Sequence, residues 1–259
     1  MSLSDYQNAL VTGASSGIGA ALVKTLSQQN LEVHAVARRM QRLKQLAQTS
    51  GCHIHVLDLQ DSEQIYQLGS QQDWDILINN AGILRGLEGI DKVSAADIDH
   101  SIDTNIRAVY HLLRSVLPGM IKRRRGHIIN IGSMAGLYAL QSSVYGGSKG
   151  AIHMISRNLR LELQGSGVRV TEICPGRVSS EIYDQPETQK PAQQSIEKAE
   201  LASKIKNSQI RELDPEDIAA AVMYAIDSPW YVNVNRIELQ PTEQTYGGSQ
   251  FVPLTNQPC

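Results

Sequence analysis

The chain has 259 residues, a formal charge of -2 and a hydrophobic fraction of 41%, enough to bury a sizeable core in one large α/β domain or two small ones. The near-neutral balance argues against a nucleic-acid binder, which usually carries a basic face, and no apolar run approaches a membrane span. Glycines begin by Gly13, where a leader peptide would still need apolar residues.

Ala9-Leu10-Val11-Thr12 is an apolar run that meets glycines at once and reads as a buried strand. Residues 17–28 look helical, 33–37 form a second strand, 39–48 a helix and 54–57 a third strand. Residues 62–69 are helical, and Asp75-Ile76-Leu77-Ile78 is a fourth strand that ends in Asn79-Asn80-Ala81-Gly82. Ser94, with Asp97 three residues on, resembles a capping box that opens a long helix past Asn105 to about Pro118. Residues 127–131 are a fifth strand, 143–164 a helix and 169–173 a sixth strand. Asp214-Pro215 is a helix start, with an acidic cap and proline in the first turn. Residues 232–239 are a seventh strand.

Strands alternating with helices imply an α/β, doubly wound parallel sheet with helices on both faces. No linker divides the chain, so residues 1–259 are expected to form a single domain. The polar, Gln-rich stretch 184–209 is the compositional exception, and a lid around 180–212 is one reading of it; a plain surface insertion is the other. The basic run Lys122-Arg123-Arg124-Arg125 is expected to be a solvated helix end. Cys52, Cys174 and Cys259 lie far apart and lack a metal-type spacing, so free thiols in a reducing cytoplasm are expected, and no metal site.

Thr12-Gly13-Ala14-Ser15-Ser16-Gly17-Ile18-Gly19 follows the first strand and opens the first helix. Glycines there permit a tight turn and a close backbone approach, and the helix amino terminus favours a pyrophosphate. The second strand ends in Ala37-Arg38-Arg39, where a carboxylate would select NAD(H). Arginines at that place suit a 2′-phosphate, so NADP(H) is the expected cofactor. Asp58, followed by Leu59, and Asn80-Ala81-Gly82 end strands at the same carboxyl edge, where ligands of open α/β sheets bind.

Tyr145 and Lys149 flank Gly146-Gly147-Ser148. Residues four apart share one helix face, and an ammonium beside a phenol favours the phenolate and lowers its pKa from about 10. Such a pair can trade a proton with a substrate oxygen. Two glycines inside a helix cost about 1 kcal/mol each relative to alanine, which points to a need for bare backbone beside a neighbouring helix or a ligand. Ser133, just past the fifth strand, is placed to hydrogen-bond a carbonyl.

With these residues together, the chain resembles the short-chain dehydrogenase/reductase family across about residues 8–240. The matching stretches are TGASSGIG at 12–19, NNAG at 79–82, Asn105, Ser133, YGGSK at 145–149 and PGRV at 175–178. The resemblance implies a Rossmann-type seven-stranded sheet and hydride transfer between the nicotinamide and a hydroxy or oxo compound. It makes Tyr145 the proton donor or acceptor, Lys149 the holder of the ribose, Ser133 the carbonyl positioner and Asn105 the residue binding a water that links Lys149 to solvent. Gly13, Ser15, Ser16, Gly17, Ile18, Gly19, Arg38, Arg39, Asp58, Leu59, Asn80, Ala81, Gly82, Tyr145 and Lys149 would contact the cofactor. Pro175, Gly176, Val178 and Ser180 would lie near the nicotinamide, with serine where the family commonly has threonine. GHIINIGSMAG, VRVTEICPG and the tail VNVNRIELQPTEQTYGG resemble the NADP-dependent 3-hydroxy acid dehydrogenases that oxidise serine-like substrates, and the clavulanic acid dehydrogenases. Arg85 and Arg177 are candidate partners for a substrate carboxylate. The family also implies a homo-oligomer, dimer or tetramer, paired through the helices around 105–117 and 151–163. A broad carbonyl reductase, an epimerase or dehydratase of the wider family, and a non-catalytic dinucleotide sensor are the alternatives.

Overall fold

The computed structural model describes residues 3–139, 142–183 and 211–246. Seven parallel strands form one sheet in the order β3-β2-β1-β4-β5-β6-β7. They are β1 (Asn8–Thr12), β2 (Glu32–Ala37), β3 (His53–Val56), β4 (Ile76–Asn79), β5 (Gly126–Ile131), β6 (Val168–Pro175) and β7 (Arg236–Leu239). The long helices are α1 (Gly17–Ser27), α2 (Met40–Ser50), α3 (Ser62–Gly69), α4 (Ala95–Ile102), α5 (Ala108–Arg123), α6 (Ser143–Glu162) and α7 (Pro215–Asp227).

The central strands carry unbroken apolar runs because both faces of the sheet are covered. On β1, Ala9 and Val11 point to one face and join Leu22 and Leu26 of α1, Leu43 of α2 and Val222 of α7. Leu10 points to the other and joins Ile65 of α3, Leu112 of α5 and Ile155 of α6. Burial of each such valine, leucine or isoleucine side chain stabilises the fold by about 1.5–3 kcal/mol. This alternation is the physical content of a doubly wound sheet, and it bears out the expected fold class.

The helix starts are written in the caps. Ser94 accepts a hydrogen bond from the Asp97 amide at 3.1 Å. Asp214 and Asp217 form a reciprocal capping box. Between α4 and α5 the chain does not break; residues Asp103–Arg107 form a π-turn. The helix also runs past Pro118 to Arg123, beyond the expected end, even though a proline inside a helix removes one ladder bond and crowds the carbonyl four residues before it.

The basic run differs from the expectation of a solvated helix end. Arg124 caps α5 in the left-handed conformation, but Arg125 binds the carboxylate of buried Asp75, with Nε at 3.0 Å. Arg123 donates to the Trp74 carbonyl at 2.7 Å and pairs with Asp73. The run fastens the end of α5 to the segment entering β4. Cys52 and Cys174 are free and buried. The stretch 184–209, read as a lid or an insertion, and Cys259 lie outside the described residues.

The strand order reverses between β1 and β4. Sheets of this kind open a crevice at the carboxyl ends of the strands on either side of such a switch. The loops after β1 and β4 therefore meet there.

Candidate active site

The β1 loop is held against the β4 loop by one threonine and one asparagine. Thr12 Oγ1 accepts from the backbone amides of Asn80 and Ala81, both at 3.1 Å. Asn80 Nδ2 returns a bond to the Thr12 carbonyl at 2.8 Å. This tightness explains Gly13 and Gly19. Gly13 has φ +66°, and a Cβ there would stand 2.8 Å from Ala81 Cα. A Cβ on Gly19 would meet the Gly13 carbonyl oxygen at 2.3 Å. Bare backbone and the amino terminus of α1 form a cradle compatible with a pyrophosphate. Ile18 packs on the core below, and Gly17 faces Ser180, whose Cβ would lie 3.2 Å from a Cβ on that glycine.

Beside the cradle, Arg39 donates from Nε to Ser15 Oγ at 2.9 Å and from Nη2 to Ser16 Oγ at 2.6 Å. Its Nη1 reaches Glu181 at 3.1 Å, and Arg42 Nη1 reaches the same carboxylate at 2.6 Å. Two guanidinium groups thus converge on one anion, and Arg42 holds the Glu181 carboxyl below the usual carboxylate range. Two guanidinium groups side by side after the end of β2 fit a phosphorylated ribose. Sequence reading did not include Arg42 or Glu181. Arg38 faces away from this fork, toward Asp58 at 3.8 Å, and both side chains are exposed. Asp58 also accepts from the Gln60 amide at 3.0 Å, and Leu59 packs on the core.

On the other side of the switch, Lys149 of α6 is buried, and its Nζ donates to the Ile131 carbonyl at the end of β5 at 2.8 Å. Burial lowers its pKa to about 8, against the opposing pull of Cys174 and Glu172. An ammonium has three N–H donors, so this carbonyl and ribose hydroxyls can be served together. A Cβ on Gly82 would stand 3.5 Å from Lys149 Nζ and 3.4 Å from Asn105 Oδ1, both ordinary contact distances, so the Gly82 backbone lies directly against these two side chains. Asn105, in the π-turn, accepts from the Ile83 amide at 2.8 Å and donates to the Ile83 carbonyl and to Ser148 Oγ, both at 3.0 Å. It clamps the β4 loop to α6.

Ser133 follows β5 and accepts from the Ala135 amide at 3.1 Å, which starts a short 3-10 turn. Tyr145 is half-buried in the first turn of α6, on the same helix as Lys149. The two glycines between them have separate explanations. A Cβ on Gly146 would lie 3.2 Å from the Ala135 carbonyl, so this glycine lets α6 approach the turn carrying Ser133. Gly147 has nothing within 4 Å of such a Cβ among the described residues, and packing gives no reason for it.

Pro175 ends β6, and a Cβ on Gly176 would meet Gln244 Oε1 at 2.3 Å. Val178 bridges to Leu213. Both candidate carboxylate receptors already have acidic partners: Arg85 pairs with Asp97 at 3.2 Å, and Arg177 with Glu212 at 2.5 Å.

The family profile described as short chain dehydrogenase matches residues 7–191. An uncharacterized short-chain type dehydrogenase/reductase of Sinorhizobium fredii is 39% identical over 251 residues, covering 96% of this chain and 97% of the relative. NADP-dependent 3-hydroxy acid dehydrogenase YdfG of Escherichia coli is 35% identical over 254 residues, covering 92% and 96%. A solved structure of the closed form of serine dehydrogenase complexed with NADP+ superposes with a TM-score of 0.84 at 34% identity, over 97% of this chain and 100% of that one.

Proposed function

The chain belongs to the short-chain dehydrogenase family, and from that premise we propose that it interconverts a small 3-hydroxy acid and its oxo form, with serine-like compounds as the substrate class. It is an oxidoreductase acting on CH–OH groups, and NADP(H) is its cofactor. The relatives named for 3-hydroxy acids and for serine support the narrower substrate.

When bound, NADP(H) supplies or accepts the hydride. The chain's own residues handle positions and the proton. Gly13, Ser15, Ser16, Gly17, Ile18 and Gly19 hold the pyrophosphate, and Arg39 with Arg42 replaces the Glu181 carboxylate by the 2′-phosphate. Asn80, Ala81 and Gly82 line the ribose side, and Pro175, Gly176, Val178 and Ser180 the nicotinamide side. Tyr145 gives its phenol proton to the substrate oxygen in reduction and takes it back in oxidation. Ser133 hydrogen-bonds the same oxygen, while the Lys149 ammonium stabilises the phenolate. Asn105 sits in a π-turn, a feature often found at functional sites, and keeps a water between Lys149 and solvent. Residues 1–259 act as one domain in the cytoplasm, as a dimer or tetramer.

One observation carries this assignment: Lys149 Nζ, Asn105 and the bare backbone of Gly82 meet beside the carboxyl end of β5. The test is steady-state NADPH oxidation against a panel of aldehydes, ketones and 3-oxo acids, with cofactor titration in parallel. Y145F should lose at least about 100-fold in kcat and keep its NADPH affinity; an unimpaired kcat refutes the proton-transfer role. In the same titration R42A should weaken NADPH but not NADH. A flat preference across the panel favours a broad carbonyl reductase over the 3-hydroxy acid reading.

A further inference from the structure

A second cluster of chemistry-bearing side chains lies at the opposite, amino-terminal end of the sheet. Glu32 and His34 are two apart on β2, and His53 and His55 two apart on β3, so each pair shares a face. The parallel register sets His34 beside His53. One ligand atom from each of Glu32, His34 and His53 lies within 4.8 Å of the others. Glu32 Oε1 is 3.1 Å from His34 Nε2 and 3.3 Å from His53 Nε2. Zinc bonds of about 2.0–2.1 Å in a tetrahedron put neighbouring ligand atoms roughly 3.3 Å apart, so both separations suit ligands of one ion.

We infer that Glu32, His34 and His53 form a binding site for a divalent transition ion of the zinc class, with His55 fixing the orientation of His34. Two imidazoles and a carboxylate are ligands suited to zinc. The side chain of His34 is 8% exposed, whereas those of Glu32 and His53 are 48% and 59% exposed. The site is thus anchored at the bottom and open to an entering ion at the top. His53, being exposed, turns its ring toward the ion at little cost.

The surroundings of His34 are those of a ligand. Its Nδ1 is 2.9 Å from His55 Nε2, and its ring meets Trp74 edge-on at 4.8 Å between centroids. With Nδ1–H donating to His55, Nε2 keeps its lone pair toward the Glu32 carboxylate. In that tautomer the Nε2 lone pair accepts from the Gln72 amide nitrogen at 2.9 Å, and an entering cation would take the place of that donor beside the Glu32 carboxylate. A hydrogen bond from the second ring nitrogen is the usual support of a ligating histidine. The Gln72 amide nitrogen, 2.9 Å from His34 Nε2, occupies the fourth direction; turned over, the same amide offers its oxygen. The sequence pattern gave no sign of this site, because strand register alone brings residues 32–34 and 53–55 together.

The test uses the untagged full-length protein, dialysed against a chelator and titrated with zinc chloride by calorimetry, with metal analysis of the product. One zinc per chain is expected, and free zinc at a hundred times Kd should raise the unfolding midpoint by roughly 5 °C. H53A and E32Q, both at exposed positions, should each weaken binding at least tenfold. H53A should leave NADPH-dependent turnover unchanged, because the cluster and the cofactor crevice lie at opposite ends of the strands. Failure to take up stoichiometric zinc overturns the inference and leaves His34 and Glu32 joined by a proton alone. Equal zinc binding by the parent, H53A and E32Q overturns it too.

Discussion

A single buried amine shows how function is set against stability. Lys149 is fully enclosed, and burial holds its pKa near 8, below the ordinary 10.5. Below pH 8 the amine is charged in both folded and unfolded chains, so the penalty of burying the ammonium is present in full. Between pH 8 and 10.5 the folded chain sheds the proton first, and the penalty fades. In cofactor-free protein, the stability of the parent relative to K149M should therefore climb by about 3 kcal/mol over that interval. Urea unfolding of both proteins across pH 7.5–10.5 measures it; a constant gap would show that the amine is not desolvated. Among residues, the Tyr145–Lys149 pair was legible because one helix fixes their spacing. Arg42 and Glu181 were not, because Glu181 reaches α2 from 139 positions away in the chain. Arg38 and Arg39 read alike as phosphate contacts; Arg39 lies in the fork at Glu181, whereas the nearest acidic partner of the exposed Arg38 is Asp58 at 3.8 Å.

The elements are joined by polar side chains as well as by apolar packing. Asn79 Nδ2 of β4 donates to Asn130 Oδ1 of β5 at 2.8 Å, and Asn130 Nδ2 donates to Ser156 Oγ of α6 at 2.8 Å. All three residues are buried. The chain of bonds fixes α6, and with it Tyr145 and Lys149, against the two strands that carry Asn80 and Ser133. N130A would strand a donor on Asn79 and leave Ser156 Oγ without the N–H it accepts from. Each orphaned buried group costs about 1–3 kcal/mol, so a loss of roughly 2–5 kcal/mol in unfolding free energy is expected by denaturant titration. A loss under 1 kcal/mol would mean that the network is ornamental. Strand positions were readable from apolar runs ended by glycine or asparagine, and helix starts from Ser94 and Asp214. The π-turn was not, since residues 103–107 carry the same periodic pattern as the α-helix on either side.

At the scale of the molecule, the sheet separates tasks by its two ends, with loops for the cofactor at one and the histidine cluster at the other. Apolar side chains also remain exposed on α5 and α6: Tyr110 is 55% exposed, Met154 48% and Leu161 73%. Exposed apolar residues gathered on neighbouring helices mark interaction surfaces, which supports the proposed pairing of subunits through α5 and α6. Light scattering on the purified chain should give the mass of a dimer or tetramer, and M154E/L161E should reduce it to that of one chain. A monomeric parent would remove the pairing from the proposal. The fold class was legible in full because alternating strands and helices admit few arrangements. Assembly was legible only by resemblance, because an outward-facing methionine and an inward-facing one look alike in a sequence.

The π-turn at Asp103–Arg107 has a bearing on what this chain can lose. Such a turn holds one residue more than the α-turn it replaces. Excising any one of the five would return the rod to uniform winding with the helices on either side keeping nearly the same relative rotation, and would narrow the widened turn from which Asn105 reaches the β4 loop. The deletion would leave length, charge and hydrophobicity almost unaltered, yet it would carry the asparagine off its station. Tolerance to missing codons should thus be lowest in a stretch that composition marks as unremarkable.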